Sequence, residues 1–182
     1  DTLKALQDLA RFHRLRFSIP VIAITGSNGK TTTKDMTAAI LASRFHVLKT
    51  QGNFNNEVGL PLTLLQLDDS HDAAVVEMGM RGLGQIKELA DIAMPTIAVV
   101  TNVSETHIEL LGTLENIATA KGELVEAISQ DGVVILNADN SYVARMKDKA
   151  KGSVVLYGLH QGLVTAKDIH VNDTALDFTC TT

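Results

Sequence analysis

Ile22-Ala23-Ile24-Thr25-Gly26-Ser27-Asn28-Gly29-Lys30-Thr31-Thr32-Thr33 decides the reading of this chain. An apolar run leads into a glycine-rich turn, and Lys-Thr opens a helix. Backbone N–H groups of such a turn converge on one point, and the helix dipole favours an anion there. Lys30 stands where it neutralises the outer phosphates of a nucleotide, and the Thr31 hydroxyl stands where it ligates a magnesium ion. The strict phosphate-loop pattern has a further glycine where this chain has Ile24. What remains is the shorter Gly26-x-x-Gly29-Lys30-Thr31. The plain alternative is a strand–turn–helix whose glycines serve only the turn.

Outward from this stretch, apolar runs and helical patterns alternate. Strands are expected at Val21–Thr25, His46–Lys49, Ala73–Met78, Thr96–Thr101, Val133–Leu136 and Val154–Tyr157. Helices are expected at Thr31–Arg44, Glu57–Gln66, Gln85–Ile92, Leu114–Ser129 and Ser141–Lys149. Short uninterrupted apolar strands between helices predict an α/β fold, a mostly parallel sheet with helices on both faces. Such sheets bind ligands at the carboxyl ends of their strands. After residue 160 the pattern weakens into a small β-rich piece. Asp1–Arg16 reads as an amphipathic helix with Leu3, Leu6, Leu9 and Phe12 on one stripe. With no Met start and a final alternating strand, the expectation is a domain taken from a longer protein.

Composition narrows the function classes. At 182 residues, 45% of them hydrophobic, the chain can bury the core of one domain. A formal charge of −5 leaves no basic footprint for nucleic acid. Aromatic residues are 4% with no Trp, which argues against base stacking. The lone Cys180 excludes a disulfide framework within the chain and points to a reducing compartment. No apolar run approaches the roughly 18 residues of a membrane span.

The polar residues of interest fall at strand ends. Glu77 closes an apolar strand, where a carboxylate holds Mg²⁺ directly or through water, or is simply solvated. Arg81, in the turn Met78–Gly84, is an anion contact or a surface arginine. His107 follows the strand Thr96–Thr101, and a neutral imidazole there is a candidate ligand for a second metal. Lys121 lies in a helix beside small residues that allow a ligand or another backbone to approach. Gly52–Pro61 is amide-rich. Asn56 suits an N-cap, leaving Asn53 and Asn55 to read a ligand. Asn137 and Asp139 suit either adenine contact or a turn before the helix at Ser141.

Together and in this order, these motifs resemble the Mur ligases, ATP-dependent amide-bond formers of peptidoglycan precursor synthesis. Gly26-Ser27-Asn28-Gly29-Lys30-Thr31-Thr32 is similar to their shortened phosphate loop. Gly52–Pro61, Glu77–Met80 and Ala120-Lys121-Gly122-Glu123 look like the branch that adds D-alanyl-D-alanine. The resemblance implies residues 1–18 as a linker helix from an N-terminal domain and 19–182 as the central ATP-binding domain, with a C-terminal domain beyond. It implies ATP and two Mg²⁺ as cofactors. The nucleotide would be held by Gly26, Ser27, Asn28, Gly29, Lys30, Thr31 and Thr32, with Asn137 and Asp139. Lys30, Glu77, His107 and Lys121 would be catalytic, the metals falling to Thr31, Glu77, His107 and Lys121. Asn53, Asn55, Asn56 and Arg81 would face substrate. In some branches the lysine matching Lys121 is carbamylated. The implied partners are UDP-N-acetylmuramoyl-tripeptide, D-Ala-D-Ala and the flanking domains of the same polypeptide, in a monomer of the bacterial cytoplasm. The alternatives are another amide ligase of this superfamily, such as a folylpolyglutamate or cyanophycin synthetase, and a non-catalytic nucleotide-binding module.

Overall fold

Val21–Thr25 forms β1, and all five of its residues are buried. Three of its four apolar residues are β-branched, which suits a pleated strand covered on both faces. A computed structural model describes residues 1–106, 108–173 and 175–182. Its further strands are β2 (Val47–Lys49), β3 (Ala73–Glu77), β4 (Ile97–Val100), β5 (Val133–Asn137), β6 (Ser153–Gly158), β7 (Val164–Val171) and β8 (Leu176–Thr181). They form one sheet in the order β2-β3-β1-β4-β5-β6-β7-β8. Every pairing is parallel except the last, β7 with β8. The chain thus starts near the middle at β1, travels to one edge at β2 and returns to build the other side from β4. The point of reversal lies at the carboxyl ends of β1, β3 and β4, where α/β sheets take ligands.

Helices cover both faces. They are α1 (Thr2–Arg14), α2 (Lys30–Leu41), α3 (Gly59–Leu64), α4 (Gln85–Ala93), α5 (Ile108–Leu111), α6 (Leu114–Ala127) and α7 (Ser141–Ala144), which runs on as a 3₁₀ turn, Arg145–Lys149. The larger core joins Leu60 and Leu64 of α3, Ile86 and Leu89 of α4, and Ile117 and Leu124 of α6 to Ala74, Val76 and Val100 of the sheet. On the other face α2 lays Ala38 and Leu41 over Ile22, Ile24, Val75 and Val99. Each fully buried Val, Leu or Ile contributes about 1.5–3 kcal/mol. Caps set the helix starts: the Thr113 side chain accepts from Asn116 N on α6, and that of Asn140 from Val143 N on α7. Such a cap is worth roughly 0.5–2 kcal/mol.

Two expectations change. The Leu3–Leu9–Phe12 stripe of α1 is exposed, Phe12 by 68%. The buried face is instead Gln7, Ala10 and Arg14. Arg14 decides this orientation. Its guanidinium donates to the carbonyls of Phe17, Ile19, Ala93 and Met94. The last two end α4, where backbone oxygens carry the negative end of the helix dipole. Burial holds the Arg14 pKa below its usual value. Residues beyond 160 form the small β-rich piece expected there, joined to the main sheet. β7 joins β6 through Tyr157↔Val164 and Gly158↔Thr165 and pairs with β8 as a ribbon. α5 lies where no helix was expected. Among the described residues no helix is long and apolar enough to cross a membrane.

Candidate active site

The phosphate loop joins β1 to α2, and two glycines shape it. Gly29 is the N-cap of α2 with φ +78°, and Gly26 has φ +151°. A Cβ on Gly26 would meet the Thr101 hydroxyl at 1.9 Å. The loop is stitched to the segment following β4. Ser27 N donates to Asn102 O at 2.9 Å and Asn28 N to Asn102 Oδ1 at 2.9 Å. Thr101 Oγ1 donates to Asn28 O at 2.7 Å, and Ser104 N donates to Ser27 Oγ at 2.9 Å. Thr101, Asn102 and Ser104 were not singled out as site residues in the sequence. The signal was present as a polar run directly after a buried strand.

Lys30 Nζ donates to the carbonyls of Gly26 at 2.9 Å and Ser27 at 3.0 Å, so its ammonium sits over the loop. Burial lowers its pKa, and nearby Glu77 partly offsets that. Thr31 Oγ1 donates to Glu77 Oε2 at 2.8 Å, and Asn55 Nδ2 donates to Glu77 Oε1 at 2.7 Å. Glu77 is 2% exposed and makes no salt bridge among the described residues. A buried carboxylate hydrogen-bonded only by neutral donors, with Lys30 near but not paired to it, suits a further cation. A hydroxyl and one carboxylate fit Mg²⁺, which takes few protein ligands and completes its shell with water and phosphate oxygens. No group of three or more His, Cys, Asp or Glu side chains able to hold a metal exists among the described residues.

A cavity of about 330 Å³ opens beside the loop. Gly26, Lys30, Asn53, Asn55, Asn56, Arg81 and Lys121 all line it. Lys121 is not the solvated helix lysine its local sequence suggests. It is 2% exposed and hydrogen-bonds to no acceptor among the described residues. Burial, with a lesser push from Lys30, lowers its pKa to about 7. Its neighbour Gly122 faces the Lys149 side chain, where an added Cβ would stand 3.5 Å from Nζ. The N-cap of α3 is Val58, not Asn56 as expected, though Asn56 Oδ1 accepts from Gly59 N at 2.8 Å. Thr32 is exposed in the first turn of α2, and Arg81 is exposed on the cavity wall.

One pair of expected site residues stands apart from the cavity. Asn137 donates to Thr101 O at 2.9 Å and accepts from Asp139 N at 3.0 Å. Asp139 accepts backbone N–H bonds from Leu159, His160 and Gln161. These bonds, that of Leu159 foremost, hold its carboxyl below its usual pKa. Asp139 therefore shapes the loop after β6, Asn137 ties the end of β5 to Thr101, and neither lines the cavity. His107 lies outside the described residues.

A family model described as the Mur ligase middle domain matches residues 24–182. The chain belongs to the Mur ligase family. Among curated proteins it is 48% identical over 171 residues to a UDP-N-acetylmuramoyl-tripeptide–D-alanyl-D-alanine ligase from Synechocystis sp., covering 93% of this chain and 37% of that relative. A crystal structure of MurF from Acinetobacter baumannii superposes with a TM-score of 0.95 at 34% identity, covering all of this chain and 40% of that one. MurF ligase from Thermotoga maritima, solved in complex with ADP, gives a TM-score of 0.91 at 30% identity, covering 99% of this chain and 42% of that one. The chain spans about two fifths of the length of these Mur ligases.

Proposed function

We propose that this chain is the central, ATP-binding catalytic domain of a ligase that joins D-alanyl-D-alanine to UDP-N-acetylmuramoyl-tripeptide. One observation carries the reading. Lys30 of the phosphate loop, Asn55 held on Glu77, Arg81 and the buried Lys121 converge on a single cavity. The 48% identity to a ligase of that name supports this substrate pair over other amide ligases.

The chemistry the residues serve is activation of a poor acyl donor. A carboxylate oxygen of the peptide attacks the γ-phosphorus of ATP, ADP leaves, and an acyl phosphate forms. The D-Ala-D-Ala amine then attacks the acyl carbon, phosphate departs and the amine loses a proton. Two anions meet in the first step. Lys30, with the loop N–H groups, offsets their repulsion and stabilises charge shifting toward the leaving ADP. Thr31 and Glu77 are the residues that would hold Mg²⁺, whose role is to neutralise phosphate charge. Asn53, Asn55 and Asn56 offer amide donors and acceptors to the peptide, and Arg81 offers a cation to its carboxylates. Asn137 and Asp139, beside the carboxyl end of β4, would contact the nucleotide's adenine.

Lys121 has two available states. Near neutral pH much of it is the free amine, which takes up CO₂ to form a carbamate with release of one proton. That form would be a carboxylate-like ligand for a second cation, with His107 as its partner. The buried setting and the pKa of about 7 support this reading. The protein is expected to act as a monomer in the bacterial cytoplasm. Residues 1–18 would link to the domain that binds the UDP-sugar, and a further domain would help bind the amine.

The test is amine-dependent ADP release by the full-length protein given Mg-ATP and UDP-N-acetylmuramoyl-tripeptide. Release with D-Ala-D-Ala alone is the expected outcome. Release only with a single amino acid would move the chain to another ligase, and tight ATP binding without release would make it a nucleotide-binding module.

A further inference from the structure

Lys34 is a buried cation that phosphate binding does not explain. It is 2% exposed, and it does not line the cavity beside the loop. Its Nζ donates to the Thr50 carbonyl at 3.0 Å and lies 3.5 Å from Asp35 Oδ1. That carboxylate is half-exposed and is held more closely by Lys49, at 2.7 Å. Burying an ammonium costs several kcal/mol unless it is well paired. A methionine has similar length and would fill the same space without that cost. What the ammonium adds is a directed grip on one backbone oxygen.

Thr50 is where the grip leads. The residue is fully buried, and each of its polar groups is engaged. Its N–H donates to Val75 O at 3.0 Å, extending the β2 ladder by one residue. Its hydroxyl accepts from the N–H of Glu77 at 3.0 Å. From Thr50 the chain runs through Gly52 and Asn53 to Asn55, which returns to Glu77 Oε1. Lys34 therefore holds the root of the segment that carries Asn53 and Asn55. Thr31 stands three residues earlier on the same face of α2 and touches Glu77 Oε2. One helix face thus governs both ends of Glu77: Thr31 its carboxylate, Lys34 through Thr50 its backbone.

We propose that Lys34 is a positioning residue that locks the Thr50 clamp, so that Glu77 and Asn55 keep their aim at the cation position beside Thr31. The inference rests on the ligase reading above. It differs from it in assigning a residue that touches neither nucleotide nor substrate.

The experiment uses the full-length protein and measures ADP binding by calorimetry across a Mg²⁺ titration, with no turnover. In Lys34→Met the Mg²⁺ concentration needed for tight ADP binding should rise about 10–100-fold, the range typical when a ligand's hydrogen-bond support is lost. Metal-free ADP binding should change little. Thr50→Val should shift the Mg²⁺ dependence in the same direction, and Thr50→Ser, which keeps the hydroxyl, should restore it. If Lys34→Met does not fold, Lys34→Gln, one bond shorter and so without the grip on the Thr50 carbonyl, is measured in its place. A lowered melting temperature with an unmoved Mg²⁺ dependence in these variants would overturn the proposal and leave the ligase reading intact. Wild-type protein whose ADP binding ignores Mg²⁺ would sink both.

Discussion

The carboxyl ends of β1, β2, β3 and β4 and the β7–β8 ribbon belong to the same sheet and behave as opposites. At the first, Thr25, Thr50, Glu77 and Thr101 are polar and buried, and each is hydrogen-bonded to a neighbouring segment. In the ribbon every residue of β8 is exposed, and Val171 of β7 is 76% exposed. A buried polar group must be satisfied or its desolvation is uncompensated, so the first region tolerates little change. The ribbon is held mainly by its own ladder, where substitutions exchange one solvated side chain for another. Constraint in this molecule therefore follows the satisfied buried polar groups, and the proposed site residues sit among them.

The sharpest test of the crowded region is Lys30→Ala. On the proposed reading, losing a preorganised cation at a transferring phosphoryl group should cut ADP release by the full-length protein at least about 10²–10³-fold. Single-turnover ADP formation reads this directly, and wild-type turnover would remove the phosphate-loop assignment. Glu77→Gln keeps the side-chain shape and removes the charge. Its Mg²⁺ requirement for nucleotide binding should rise roughly 100-fold, about 2.7 kcal/mol, and an unchanged titration would move the cation elsewhere.

Gly26→Ala probes the stitching. The new Cβ would collide with the Thr101 hydroxyl at a positive φ, and overpacking of this kind costs about 1–3 kcal/mol. Denaturant unfolding measures it, and a neutral result would show the loop to be pliant. Lys121→Met tests the buried amine through pH. Folding lowers the Lys121 pKa to about 7 from an ordinary 10.5, so the unfolded chain binds more protons between those values. Its contribution to stability should thus rise with pH from about 7 to about 10.5, by at most a few kcal/mol. Stability of Lys121→Met relative to wild type should be highest below pH 7 and decline above it. A flat difference under CO₂-free conditions would mean that the amine is not desolvated. Smallest of all, Val171→Thr in the ribbon should change stability by less than about 0.5 kcal/mol. A loss above about 1 kcal/mol would erase the contrast between the two regions.

Much of the fold was legible because its signals are local. The apolar runs of β1, β3 and β4 and the glycines before Lys30 each act within a few residues. So does the turn at Asn56, whose side chain accepts from Gly59 N. The α1 stripe misled because amphipathicity reports that one face is apolar but not that the apolar face is the one packed. Arg14 found two local carbonyls and two at the distant end of α4, and its orientation prevailed over Leu9 and Phe12. Asn137 and Asp139 could be read as ligand contacts or as turn formers, and their hydrogen bonds inside the protein belong to the second reading.

By itself, the sequence determined that β1 meets a phosphate cradle, that the sheet is largely parallel and that Glu77 ends a strand beside it. These follow from periodicity, turn chemistry and strand-end position, all encoded in neighbouring residues. Only the tertiary structure decided that Lys121 is buried with a pKa near 7, that Asn55 and Thr31 share Glu77, and that Lys34 grips Thr50. Burial and hydrogen-bond partnership depend on which distant segments the sheet order brings together, and no local pattern carries that information.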